Sequence, residues 1–443
     1  MHYTPPLAHV CAAVVALALP AVPLAAQTEP SPPLADAAQP PAIAARADQV
    51  IALLNGTIEP ADLFTDGFRA AIADTQIKGL SASLTAQFGP ALTATLAAPR
   101  SDTRAALEIR FERGLAKGGI AIDPAQQNRV SELLFTSVDS LAVPDDTPQK
   151  IAADLNALPG NVNALFVPLE GGAPVISINA DRPLALGSAI KLYVLAALGE
   201  DIALGKRQWH DHVPLTARSF PSGQLQDWPQ GAPLTLHTLA SLMIAISDNT
   251  ATDQLIAVLG KDRIIKLMRD SGHANPKANI PLLTTRELFM MKASGEARIA
   301  AYRSSDAAAR AGILAEVGQA DMTRDQINAA FGKGPQAIDI EWFAAPSDLA
   351  RLLGHMRRAC DPAVFAIMAI NPSATPAIRA RWDYVGYKGG SEPGVLNLTW
   401  LLRDKAGAWH MLTLGWNNPA AVIDQGKLEA IAQRILMLAS TAR

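Results

Sequence analysis

Ser188-Ala189-Ile190-Lys191, read with Leu186-Gly187 before it and Leu192, Val194, Leu195 and Leu198 after it, is the stretch that decides the fold. Its apolar residues recur at helical spacing. Ser188 therefore falls at a helix start, where free backbone N–H groups point outward. Lys191, three residues on, shares its face of the helix. A serine hydroxyl is a poor nucleophile at neutral pH, and a lysine one turn away is a candidate for the base that activates it. The pair alone is weak. With 21 Ser and 13 Lys in the chain, chance supplies about 0.6 Ser-x-x-Lys pairs.

Two further motifs follow in order. Ser247-Asp248-Asn249 occurs once, after the apolar run Leu239 to Ile246 and before a second one near Leu255 to Leu259. Lys388-Gly389-Gly390 ends the alternating run that starts at Asp383, and Val395 to Leu402 reads as the next strand. An earlier copy, Lys117-Gly118-Gly119, precedes Ser188 and has the wrong order. Each motif has a bland reading: a helix-end serine with a solvated lysine, a turn after a helix, a strand end. Jointly, on suitable elements and in this order, they read as a catalytic set of Ser188, Lys191, Ser247, Asn249 and Lys388.

The set Ser-x-x-Lys, Ser-Asp-Asn, Lys-x-Gly resembles the signature of class A β-lactamases and penicillin-binding enzymes. The likeness runs from about residue 150 to the end. It includes Ser219-Phe220-Pro221-Ser222-Gly223-Gln224-Leu225, where the family has a loop flanking the substrate, and a last helix over Leu428 to Leu438. More narrowly, the chain resembles two-domain lactamase-like serine hydrolases with a small steroid-isomerase-like domain in front. The resemblance implies acyl transfer to Ser188 Oγ from a β-lactam or an ester. Lys191 would act as base, its pKa lowered by burial and by the cation of Lys388. Ser247 would relay the proton, and Asn249 would hold the lysine and the substrate amide. The oxyanion donors would be the backbone N–H groups of Ser188 and Ser391. Gly389 and Gly390 would line the substrate strand, with Lys388 attracting a carboxylate.

Two departures shape the expectation. Gly389 stands where the family carries a hydroxyl, a place Ser391 is expected to fill. Between His273 and Glu287 there is no Glu-x-x-Leu-Asn to supply a water-activating carboxylate. Glu287 falls at a helix start, where an acid ordinarily complements the helix dipole; its other reading is the missing base. Slow deacylation of β-lactams is therefore expected. An esterase, a D-alanyl-D-alanine peptidase and a non-turnover β-lactam-binding module remain the alternatives.

The formal charge of −3 and pI near 6.3 imply no polyanion partner, so the expected partner is a small molecule. Residues 1–26 read as a secretory signal: apolar Val10 to Leu19, a break at Pro20 and a small-residue exit at Leu24-Ala25-Ala26. A retained anchor is the rival reading. Cleavage would leave a secreted or periplasmic chain with Cys360 as its only cysteine, no disulfide, and no stable membrane span. Residues 27–42 read as a Pro/Ala-rich linker.

Residues 43–143 read as a small α+β domain. Its first helix carries Ile43, Ala47, Val50, Ile51 and Leu54 and ends at Asn55-Gly56. A second helix is expected over Pro60 to Ile72. Leu80, Leu84 and Phe88 form a run of uncertain type that Gly89-Pro90 cuts. Strands are expected at Leu107 to Phe111, Ile120 to Ile122 and Leu133 to Phe135. The order of elements resembles NTF2-like or steroid-isomerase-like domains, with packing against the hydrolase its expected role. Pro144-Asp145-Asp146-Thr147-Pro148 reads as the joint.

The second domain, residues 150–443, is expected to be α+β as well, a class A β-lactamase/penicillin-binding-like fold. A helix over Ile151 to Leu158 would open it. A hairpin of Val162 to Pro168 with Val175 to Asn179 would join three later strands in a five-stranded antiparallel sheet flanked by helices. Residues 293–331 read as a helical insertion or lid. Trp209-His210-Asp211-His212 places two histidines on one side of a strand, but no third ligand is evident, so a structural loop is expected and no metal or cofactor.

Overall fold

The computed structural model describes residues 41–140, 146–320, 323–332 and 334–438. The expected signal segment, nearly all of the linker and the Pro144-Asp145 part of the joint lie outside them. The chain divides into two compact units that part between Asp145 and Asp146, with Thr375–Ala377 grouped with the first.

In the first unit, α1 (Pro41–Leu54), α2 (Pro60–Leu63), α3 (Asp66–Ala71) and α4 (Asp74–Phe88) precede a meander of β1 (Ala91–Ser101), β2 (Arg104–Phe111), β3 (Gly114–Asp123) and β4 (Arg129–Ser140). The strands pair in chain order, all antiparallel. Leu107, Ile109 and Phe111 are buried in a core with Ile43, Val50 and Leu54 of α1, as alternation on one and helical period on the other require.

Two expectations need correction here. The run Pro60 to Ile72 is two helices. Phe64 takes an extended conformation, bridges to Val130, and is followed by Thr65, whose hydroxyl caps α3. The run through Phe88 is helix, but its buried face is Ile77, Leu84 and Phe88; Leu80 is 46% exposed.

The second unit opens with α5 (Pro148–Asn156), then β5 (Asn161–Pro168), β6 (Ile176–Ile178) and β7 (Leu184–Ala185). A 3₁₀ turn, Gly187–Ile190, runs into α6 (Lys191–Ala203). The small ribbon β8 (His212–Pro214) and β9 (Pro233–Thr235) precedes α7 (Leu236–Ala245), α8 (Asn249–Leu259) and α9 (Lys261–Asp270). Next come α10 (Thr285–Ala293), α11 (Glu296–Ser304), α12 (Ala307–Gln319) and α13 (Arg324–Phe331). β10 (Phe343–Ala344), α14 (Pro346–Ala359), α15 (Ala363–Met368), α16 (Pro376–Arg381), β11 (Tyr384–Glu392), β12 (Val395–Arg403), β13 (Trp409–Asn417) and α17 (Gln425–Leu438) complete it.

The main sheet is antiparallel in the order β11-β12-β13-β5-β6. Its two faces follow strand alternation. Phe166, Leu398, Trp400 and Leu414 face α5 and α17. Leu165, Leu401 and Met411 face the larger core built on α6. Leu192, Tyr193, Leu195 and Leu198 are all fully buried, so α6 is covered on every side and sits at the centre of the helical layer. Of the two histidines at 210 and 212, only His212 lies on a strand; among the described residues no cluster of metal-ligating side chains occurs. No helix among them is long and apolar enough to cross a membrane.

Candidate active site

The local chain sets Ser188 before any side chain meets it. β7 pairs with β10 through Leu184 with Ala344 and Ala185 with Phe343. Leu186 N–H donates to Trp342 O at 2.9 Å. Gly187 then turns the chain at φ +50°, a conformation that costs a residue with a Cβ. The turn delivers Ser188 to the start of the helix, beside the edge strand β11.

Two glycines make that approach possible. A Cβ on Gly390 would lie 2.2 Å from Leu186 O and 2.3 Å from Ser188 N. A Cβ on Gly187 would lie 3.1 Å from Ser391 N. The backbone N–H groups of Ser188 and Ser391 are thus brought close across a contact that only α-carbons without a Cβ allow.

Lys191 is fully buried. Its Nζ lies 2.7 Å from Ser247 O, 3.0 Å from Ser247 Oγ and 2.8 Å from Asn249 Oδ1. Lys388, 4% exposed, donates to the same Ser247 Oγ at 3.0 Å and to Gly389 O at 2.7 Å. Two amines on one hydroxyl cannot both stay charged at little cost. Burial, and then the Lys388 cation, hold Lys191 well below the usual lysine range, with Asp248 and Asp253 pulling the other way. Burial alone brings Lys388 down to about 7. A neutral Lys191 gives two N–H bonds to Ser247 O and Asn249 Oδ1, and keeps a lone pair for a hydroxyl proton. Among the described residues no hydrogen bond joins Lys191 to Ser188 directly; the amine reaches its neighbours through Ser247.

Ser247 is held at φ +56°, left-handed backbone that a non-glycine residue adopts only when its surroundings insist. Lysine bonds to both its carbonyl and its hydroxyl supply that insistence. Asp248 has a different job. Its Oδ1 accepts from Ala251 N and caps α8, while Oδ2 accepts from Gln224 N and Leu225 N. It anchors the 219–225 loop. Asn249 completes the corner by donating Nδ2 to Phe220 O at 3.1 Å.

Ser188, Asn249 and Ser391 line one cleft with Thr285, Phe289 and Trp342. The structure therefore brings together every expected site residue. Lys191, Ser247, Asn249 and Lys388 form one hydrogen-bonded chain. Ser188, Gly390 and Ser391 form one backbone contact. Gly389 serves through its carbonyl to Lys388.

Glu287 is not directed at the cleft. It closes the capping box of α10 with Thr284 and binds Lys261 Nζ at 2.7 Å through both oxygens. The reading of it as a base is replaced by a structural one.

Sequence reasoning missed the acids in and behind the cleft. Asp253, inside α8, stands behind the cleft rather than in it: it accepts from Thr285 N, Thr285 Oγ1 and Arg286 N and is pushed up to about 6 by burial, against those bonds. Glu341 and Glu392 line the cleft and share Lys292. A hint of Glu392 was present in its two-residue steps from Lys388 and Gly390, which put all three on one strand face.

Residues 146–333 match the model of the Beta-lactamase enzyme family. The second unit thus carries a β-lactamase-like domain. Similar solved structures include a β-lactamase from Sphaerobacter thermophilus, at 22% identity and TM-score 0.45, covering 66% of this chain and 96% of that one. A β-lactamase from Burkholderia ambifaria has 16% identity and TM-score 0.46, covering 66% and 99%. A structure named PBP-A has 16% identity and TM-score 0.45, covering 66% and 94%. No curated protein matches the chain.

Proposed function

We propose that this chain is a serine hydrolase of the β-lactamase type that forms an acyl-enzyme on Ser188 from a β-lactam or an ester. The observation that carries the reading is the fully buried Lys191, its pKa held down by burial, joined through Ser247 to a second buried lysine. Burying two lysines on one hydroxyl is costly, and folding gains nothing from it that apolar side chains would not supply better. The family match over residues 146–333 supports the same reading.

In the proposed course, Ser188 Oγ attacks the carbonyl carbon as its proton passes to Lys191, directly or through Ser247. The developing oxyanion is met by the N–H groups of Ser188 and Ser391. The protonated Lys191 then returns its proton through Ser247 to the leaving nitrogen or oxygen. Lys388, charged below about pH 7, draws a substrate carboxylate toward the strand.

The segment between His273 and Glu287 sends no carboxylate to the cleft, so deacylation of β-lactams near neutrality is slow. Export of the chain, from its first 26 residues, and an NTF2-like identity for the front unit, from its helices followed by a four-stranded meander, belong to the same proposal.

Intact mass after incubation with a penicillin, a chromogenic cephalosporin and a p-nitrophenyl ester tests it. One adduct on Ser188 with slow release is expected. A stable adduct that never turns over points to a β-lactam-binding module. Release of D-alanine from an acyl-D-alanyl-D-alanine peptide points to the peptidase. No adduct with any donor overturns the reading.

A further inference from the structure

The cleft has an acidic wall that the proposed acylation does not use. Lys388, Gly390 and Glu392 lie on one face of β11. Lys388 reaches Ser247 on one side of the nucleophile turn, and Gly390 packs on Ser188 N. Glu392 therefore extends on the other side, immediately past the Ser391 donor.

There it meets Lys292 of α10, which also binds Glu341 Oε1 at 3.0 Å. The side chains of Lys292 and Glu341 are wholly buried, and that of Glu392 is 4% exposed. Glu341 spends its other oxygen on Trp342 N at 3.0 Å. Glu392 Oε1 is taken by Lys292. Among the described residues, Glu392 Oε2 has no hydrogen-bond partner. A buried carboxyl oxygen without a partner costs folding free energy, and this one belongs to a residue that lines the cleft beside Ser188 and Ser391.

We infer that Glu392 is the general base that activates water to release the acyl group from Ser188. The inference rests on the acyl-enzyme reading above. Water held at Oε2 attacks the acyl carbonyl carbon and gives one proton to the carboxylate. The tetrahedral intermediate collapses with cleavage of the carbon–Oγ bond, and the proton that Glu392 took from water passes to Ser188 Oγ. The acyl group leaves as a carboxylic acid, Ser188 is again a hydroxyl, and Glu392 is again a carboxylate.

The base must be ionised to act. Burial pushes the Glu392 carboxyl up; Lys292 pulls it back, and Glu341 adds to the push. Lys292, from α10, and Glu341, from the segment before β10, are the charged groups against it; Asp339, which also feels Lys292, is paired with Arg303. With one cation for two carboxyls, the cluster retains a proton near neutrality, and release accelerates as pH rises. This accounts for slow deacylation without an empty machinery.

The test uses the full chain, its E392Q variant and a chromogenic cephalosporin. Stopped-flow reads acylation, and intact mass reads the lifetime of the adduct. Both chains are expected to acylate. The E392Q adduct should live about 100-fold longer. Its decay should be flat with pH, whereas wild-type decay climbs over the range above neutrality in which the raised Glu392 carboxyl ionises. An E392Q adduct that decays at the wild-type rate overturns the inference. Absence of an adduct on the wild-type chain overturns the acyl-enzyme reading, and this role with it. Should E392Q fail to acylate, the wild-type profile decides: decay independent of pH over that range excludes a buried carboxyl as base.

Discussion

Lys388→Met separates the stability of the site from its chemistry. In the folded chain burial brings the Lys388 ammonium from 10.5 down to about 7. Each unit of that difference is about 1.36 kcal/mol, so the folded state carries a penalty of roughly 4–5 kcal/mol at and below pH 7. The sign follows from proton counting. Between the folded and unfolded values the unfolded chain binds the extra proton, so wild-type stability from this group rises with pH and the penalty is gone by about pH 10.5. Methionine removes the titration and fills a similar volume. It loses the bonds to Ser247 Oγ and Gly389 O, about 1 kcal/mol each. The variant should be more stable than wild type by about 3 kcal/mol at pH 7, and equal to it or weaker near pH 10. Urea denaturation of both chains at the two pH values measures this, and the difference between chains cancels the titrating groups that do not feel Lys388; Lys191, which does, is relieved by the substitution. Acylation by a carboxylate-bearing β-lactam should fall at the same time. An increment identical at both pH values, or a loss of stability at pH 7, would refute the claim that the buried charge is the cost.

Ser188→Ala should abolish the mass adduct with every acyl donor while leaving the far-UV circular dichroism unchanged. Lys191→Met should slow acylation by about 10²–10⁴-fold and abolish the fall in wild-type acylation rate as pH drops and Lys191 gains its proton, as a stopped-flow pH series will show. Gly390→Ala places a methyl 2.3 Å from Ser188 N; separating the two backbone donors should cost about 10²–10³ in acylation rate and, because Leu186 O and Ser188 N are backbone that must move, should also lower the melting temperature. Lys292→Met leaves Glu341 and Glu392 buried without a cation and should destabilise by about 3–5 kcal/mol at pH 8. The loss should shrink at pH 5, where the Glu392 carboxyl, raised by burial, holds its proton; denaturant midpoints at both values decide it.

The legible parts of the molecule were those written in local spacing. Ser188 and Lys191 are one helical turn apart, Ser247 and Asn249 flank a helix start, and Lys388 and Ser391 share a strand, so short windows carried each. Their meeting needed only that the elements follow in order. The split of α2 and α3 was hidden because Phe64 and Thr65 fit a helix as well as they fit the bridge to Val130 that breaks it. β1 was missed because its residues are mostly Ala and Thr, and Leu92 is half exposed, which leaves little alternation to see. The acidic wall was out of reach for another reason. Lys292, Glu341 and Glu392 come from three distant segments, and each looks like an ordinary surface charge until packing buries it. Glu287 drew attention only because it was near the expected loop; its capping box was readable as Thr284-x-x-Glu287.

The contact of Gly390 with the Ser188 turn also bears on how the chain matures. On the proposed reading, the nucleophile is made early, but its second backbone donor and its cation arrive only later, with β11. A nascent or clipped chain lacking that strand carries Ser188 without the means to use it. Uptake of a radiolabelled penicillin would then count finished molecules only, and the protein would be chemically silent until its last strands have docked.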